Sequence, residues 1–70
     1  MTREQIAKTL RENRDRRVRI TWDDGTVESV VIVSVDEEGF VHSGESGDPS
    51  DERNWFWTRL EHIKSVEVKA

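Results

Sequence analysis

The sequence predicts a mainly β domain: an N-terminal α-helix followed by a five-stranded, strongly bent antiparallel small barrel. Three observations predict it. A capped apolar stripe with helical spacing opens the chain, and from residue 17 the apolar period changes to two. Asp24-Gly25 then stands between two alternating apolar runs, a strong short-range hairpin signal.

The helix is placed at 3–14. Thr2 and Gln5 have capping-box spacing, Ile6, Ala7 and Leu10 form a narrow apolar stripe, and Glu4 and Lys8 are a favourable i,i+4 pair. A stripe with two large apolar side chains cannot hold a helix by itself, so this one must lie on the barrel. The barrel spans 17–68. Val18, Ile20 and Trp22 alternate with Arg17, Arg19 and Thr21 in a half-buried first strand. The return strand, 26–35, carries Val27, Val30, Val31, Ile32, Val33 and Val35. Its centre is apolar on both faces, so both need cover. A sharply bent strand shared by both halves of a sheet supplies it, as does a second subunit. Asp36-Glu37-Glu38-Gly39 is the next turn and Phe40-Val41-His42 opens a third strand. Residues 43–54 form a long polar loop, either mobile filler or a binding element. Trp55 to Leu60 is the fourth strand, Glu61-His62-Ile63 a tight turn, and Lys64 to Val68 the fifth strand. Five short strands are too few for a sandwich, which usually needs about seven. Closure into a barrel would also remove exposed edges.

Composition narrows the function. With 70 residues, 33% hydrophobic and 37% charged, the chain holds one small domain, 1–70. Cysteine is absent, which removes disulfides, thiolate zinc sites and cysteine nucleophiles. No apolar run reaches the roughly 18 residues of a membrane span and no signal-peptide core opens the chain, so a cytoplasmic protein with no membrane partner is expected. Residues 1–20 hold seven Lys/Arg against three Asp/Glu, and residues 21–70 hold four against twelve. Arg11, Arg14, Arg16, Arg17 and Arg19 form a candidate basic patch, with a solvated helix face as the plain alternative. The acidic turns at Asp23-Asp24 and Asp36-Glu37-Glu38 lack the ligand spacing of a calcium loop. His42 and His62 have no third nitrogen or sulfur ligand for zinc. No nucleophile elbow or phosphate loop is present, so neither an enzyme nor a bound cofactor is expected.

The order helix, strand, Asp24-Gly25, long bent strand, Asp36, short strand resembles the Sm-like family of small, Src-homology-3-like barrels. Gly25 and Asp36 keep that family's separation of turn glycine and aspartate, and Thr58 to Val66 is similar to its second motif, with Arg59 in the fourth strand. Val30 and Leu60 replace two family glycines, and Gly39-Phe40-Val41 stands where the asparagine of the RNA site belongs. By matching position, the resemblance gives Arg59 a base-clamping role and Phe40 a stacking role. A barrel with an acidic face is also similar to Rho-binding antiterminator proteins, which implies protein binding. The ending RLEHIKSVEV is similar to the close of WYL-type ligand-sensing domains.

Trp55-Phe56-Trp57 is the segment richest in binding chemistry. Alternation puts Trp55, Trp57 and Arg59 on one face of the fourth strand and Phe56, Thr58 and Leu60 on the other. With Leu60 in the core, Phe56 is expected inward and both indoles outward beside Arg59. Two indoles and a guanidinium suit either a protein hot spot or a base-stacking platform. Alternatively, the stripe of Ile6 and Leu10 covers the indoles, or they fill the core. The sequence reading is therefore a non-enzymatic interaction module, self-associating or protein-binding. Its alternative is single-stranded RNA binding through the basic segment with Phe40, Trp57 and Arg59.

Overall fold

A computed structural model describes residues 2–68; residues 1, 69 and 70 of the expected domain lie outside the described residues. Helix α1 (Arg3–Glu12) precedes strands β1 (Arg17–Trp22), β2 (Val27–Val35), β3 (Gly39–Ser43), β4 (Trp55–Arg59) and β5 (Ile63–Val68). All five strands are antiparallel in one sheet of order β4-β3-β2-β1-β5.

Helix α1 begins where its capping box requires. Thr2 Oγ1 accepts from the Gln5 amide at 3.1 Å, and Gln5 Oε1 accepts from the Thr2 amide at 2.9 Å. It ends two residues earlier than the stripe suggested. Asn13 caps it, donating its side-chain amide to the Thr9 carbonyl, and Asp15 takes a left-handed φ of 64°. The link to β1 then runs beside β2, with the Asp15 amide donating to Ile32 O and the Ile32 amide to Arg16 O.

The β1–β2 hairpin forms at Asp24-Gly25. Gly25 has φ +90°, and Asp24 Oδ1 accepts from both the amide and the hydroxyl of Thr26. Strand β2 is shared between the halves of the sheet. Its first part, through Val31, pairs with β1, and its second, from Ile32, pairs with β3 with a register shift between Ile32 and Ser34. Such a shift bends the strand and increases its twist. Val30 and Ile32 are fully buried, whereas Val31 and Val33 on the opposite face are half-buried.

Closure of the sheet, expected from this valine content, is not made. Strands β4 and β5 lie at opposite edges, joined by one 3-10 turn over Leu60–His62. Side chains cover the core instead of strand pairing. Helix α1 packs on β2, β5 and the 3-10 turn, and Ile6, Ala7 and Leu10 join Val18, Ile20, Val30, Ile32, Phe40, Leu60, Ile63 and Val66 in one cluster. None of the described helices is long and apolar enough to cross a membrane.

Candidate functional site

Strand β4 is an edge strand, and its alternation runs in the expected phase. Phe56 is opposite His42 and Thr58 opposite Phe40, on the side of the buried aromatic residues. Leu60 beyond them is buried, but Phe56 is not: 56% of it is exposed. Among the described residues no strand lies beyond β4 to cover the outer side of the Phe56 ring, so its expected place in the core is corrected to a surface wall.

The other face of β4 carries Trp55, Trp57 and Arg59. Trp55 is half-buried and donates Nε1–H to the Pro49 carbonyl at 2.8 Å. Trp57 is 49% exposed, and the Arg59 guanidinium stands 6.0 Å from its ring centroid, within cation–π range. The Trp57 Nε1–H donates to Asp36 Oδ2 at 3.0 Å. This bond, followed by those from the Gly39 and Glu38 amides, holds the Asp36 carboxyl below its ordinary pKa. The helix stripe of Ile6 and Leu10 covers the aliphatic core and leaves Trp57 open.

Phe40 does not join this surface. It is fully buried, with its ring 4.6 Å from that of His42 and 6.3 Å from that of Trp22. Its β3 phase, which points it into the core beside Ile32 and Leu60, removes it as a stacking residue. The arginines of the basic patch are all exposed but divided among elements. Arg11 is on α1, Arg14 and Arg16 on the connection, and Arg17 and Arg19 on β1. Arg17 donates to the Ser29 carbonyl and Arg19 faces Glu67 at 3.8 Å.

The loop before β4 is organised rather than plain filler. Asp48 Oδ1 accepts from the amide and hydroxyl of Ser50, Asn54 donates to the Asp48 carbonyl, and Glu52–Asn54 is a 3-10 turn capped by Asp51. The Asp and Ser content signalled such turns. The Trp55–Pro49 bond that anchors the loop had no local signal.

Sequence reasoning missed a second site, an open groove of about 500 Å³ between the β1–β2 hairpin and β3–β4. His42 forms its floor. Its ring lies 5.8 Å from Trp22 and 6.0 Å from Phe56. Nδ1 is 2.8 Å from the Ser43 carbonyl and Nε2 is 2.8 Å from Thr58 Oγ1. A carbonyl can only accept, so Nδ1 carries the hydrogen and the neutral ring accepts at Nε2 from the Thr58 hydroxyl. Burial pushes the His42 pKa down, only partly opposed by the Ser43 carbonyl and the charge of Glu28. Asp23, Asp24 and Glu28 also line the groove. Glu28 accepts from Trp22 Nε1 at 3.2 Å, and Asp23 meets His62 Nδ1 at 3.3 Å. Among the described residues no group of three or more His, Asp or Glu is arranged to hold a metal ion. Comparison of the chain with protein-family models, curated proteins and solved structures finds no match.

Proposed function

We propose that this protein is a non-enzymatic interaction module that binds protein chains, its own copies included, through the edge of β4. The observation that carries this reading is an edge strand with Phe56 and Trp57 exposed at 56% and 49% on its two faces. An unpaired strand offers a row of amides and carbonyls to an incoming strand, and alternating side chains select the partner. The aromatic pair supplies the apolar contact that concentrates binding energy in protein interfaces. An Sm-like small barrel is the architecture within this proposal, supported by the N-terminal helix, the five antiparallel strands and the bend of β2 at Ile32/Ser34.

Sedimentation equilibrium tests the self-association. Concentration-dependent oligomers that dissociate in Trp57→Lys are expected, because a cation then occupies the edge while Asp36 keeps a partner. A strict monomer at millimolar concentration sinks this part. Single-stranded RNA binding takes second place: Trp57 and Arg59 favour it as an exposed pair, but Phe40 has no open ring face. Oligo-U and oligo-A that leave tryptophan fluorescence unchanged at low salt would exclude it.

A further inference from the structure

We propose that the groove between the β1–β2 hairpin and β3–β4 binds an arginine side chain carried by a basic segment of a partner protein. This inference goes beyond edge pairing: it concerns the groove beside β4, which shares Phe56 with that edge, and it stands without strand pairing. Three features meet in the groove. Its walls are aromatic, with Trp22 half-buried and Phe56 more than half exposed on either side of the His42 ring. Its charged lining is acidic: among the described residues Asp23, Asp24 and Glu28 contribute and no Lys or Arg does. Its two histidines do not reverse that sign, since His42 is buried with a lowered pKa and His62 is engaged by Asp23.

The free acceptors fit a guanidinium. Glu28 uses Oε1 on the Trp22 indole and Asp24 uses Oδ1 on Thr26, which leaves Glu28 Oε2 and Asp24 Oδ2 for a ligand. A planar guanidinium can stack on an aromatic face while its edge donates to carboxylates. An ammonium has no plane to stack, and a phosphate backbone would meet three carboxylates. These properties favour an arginine of a protein over a nucleic acid. The aromatic walls distinguish the groove from the cavity beside the acidic turn at Asp36-Glu37-Glu38, where Glu37 shares the lining with Arg3 and Arg11 and no aromatic ring takes part.

An NMR titration of the full chain with the peptide acetyl-Gly-Arg-Gly-Arg-Gly-amide, at physiological ionic strength, tests the proposal. Saturable shifts at the Trp22 indole N–H and the Phe56 amide are expected. Replacing both arginines by citrulline keeps their shape and removes the charge, and is expected to weaken binding about tenfold or more. Glu28→Gln keeps an acceptor for Trp22, and Phe56→Ser alters an exposed position; each is expected to weaken binding about three- to fivefold. Glu45→Gln removes a carboxylate outside the groove and is expected to leave binding unchanged. Equal affinity for the citrulline peptide, no saturation, or a Glu45→Gln loss equal to that of Glu28→Gln overturns the proposal. Shifts of the Trp22 indole with protein concentration alone, matching those caused by peptide, also overturn it by assigning the groove to a second copy. Sedimentation reads β4 pairing separately, so either reading can fail while the other stands.

Discussion

The indole of Trp57 lies directly over Gly39: a Cβ on that glycine would meet Trp57 Cζ2 at 2.5 Å and the Thr58 carbonyl oxygen at 2.6 Å. Gly39 is opposite Arg59 in the register, two pairs along from Val41–Trp57 and on the same face. The glycine is therefore required by a close approach across strands. Gly39→Ala is expected to cost about 1–3 kcal/mol, because moving the indole breaks its bond to Asp36 and moving the Thr58 carbonyl disturbs the ladder. Urea unfolding followed by circular dichroism measures the loss, and altered Trp57 emission in the folded variant shows whether the indole has moved.

Asp36 ties the same indole to the β2–β3 turn, and its pKa is depressed in the folded state. The pKa values of Asp24, Asp48 and Asp51 are depressed as well, through Thr26, Ser50 and Arg53 respectively. A carboxyl with a depressed folded pKa adds stability that is complete above its unfolded value of about 3.9, and is lost as pH falls through the folded value. The urea midpoint is therefore expected to fall below about pH 4. Asp36→Asn should lower the midpoint at pH 6 and reduce its fall between pH 6 and about pH 3. An unaltered acid slope in that variant would remove Asp36 from the set.

Local signals made much of this fold legible. The capping box, the Asp24-Gly25 turn and the valine-rich β2 each depend on neighbours in sequence, and each forms where the residues placed it. The phase of β4 was legible too, since alternation alone sets it. Whether a face is covered depends on what packs beside the strand, and the absence of a strand beyond β4 leaves Phe56 exposed. His42 shows the same limit more sharply. Its enclosure is assembled from Trp22 on β1 and Phe56 and Thr58 on β4, so no window around residue 42 contains it.

Phe40 and Phe56 provide a direct contrast between core and wall. Phe40 is fully buried against His42 and Trp22, and Phe40→Ala is expected to cost about 3–5 kcal/mol. That is a large share of the roughly 5–15 kcal/mol typical of a whole domain. Phe56→Ala removes a ring already 56% exposed and is expected to cost about 1 kcal/mol or less. Thermal denaturation of the two variants side by side checks the ranking, and equal losses would place Phe56 in the core after all.

His42 gives the fold a second pH dependence, above that of the aspartates. Burial lowers its folded pKa, whereas the unfolded chain holds a histidine near the ordinary value of about 6.5. Between the two values the unfolded state binds more protons, so acidification favours unfolding. The stabilising contribution is complete above about pH 6.5 and declines as pH falls toward the folded value. Nitrogen chemical shifts are expected to show hydrogen on Nδ1 and an accepting Nε2 at neutral pH, as the Ser43 carbonyl and Thr58 hydroxyl require. Thr58→Val removes the donor that favours the neutral ring, so the folded pKa of His42 should rise and the slope of stability between about pH 5 and 7 should flatten. A His42 titration unchanged by that substitution would show that the Thr58 hydroxyl does not hold the ring neutral, leaving burial alone to do so.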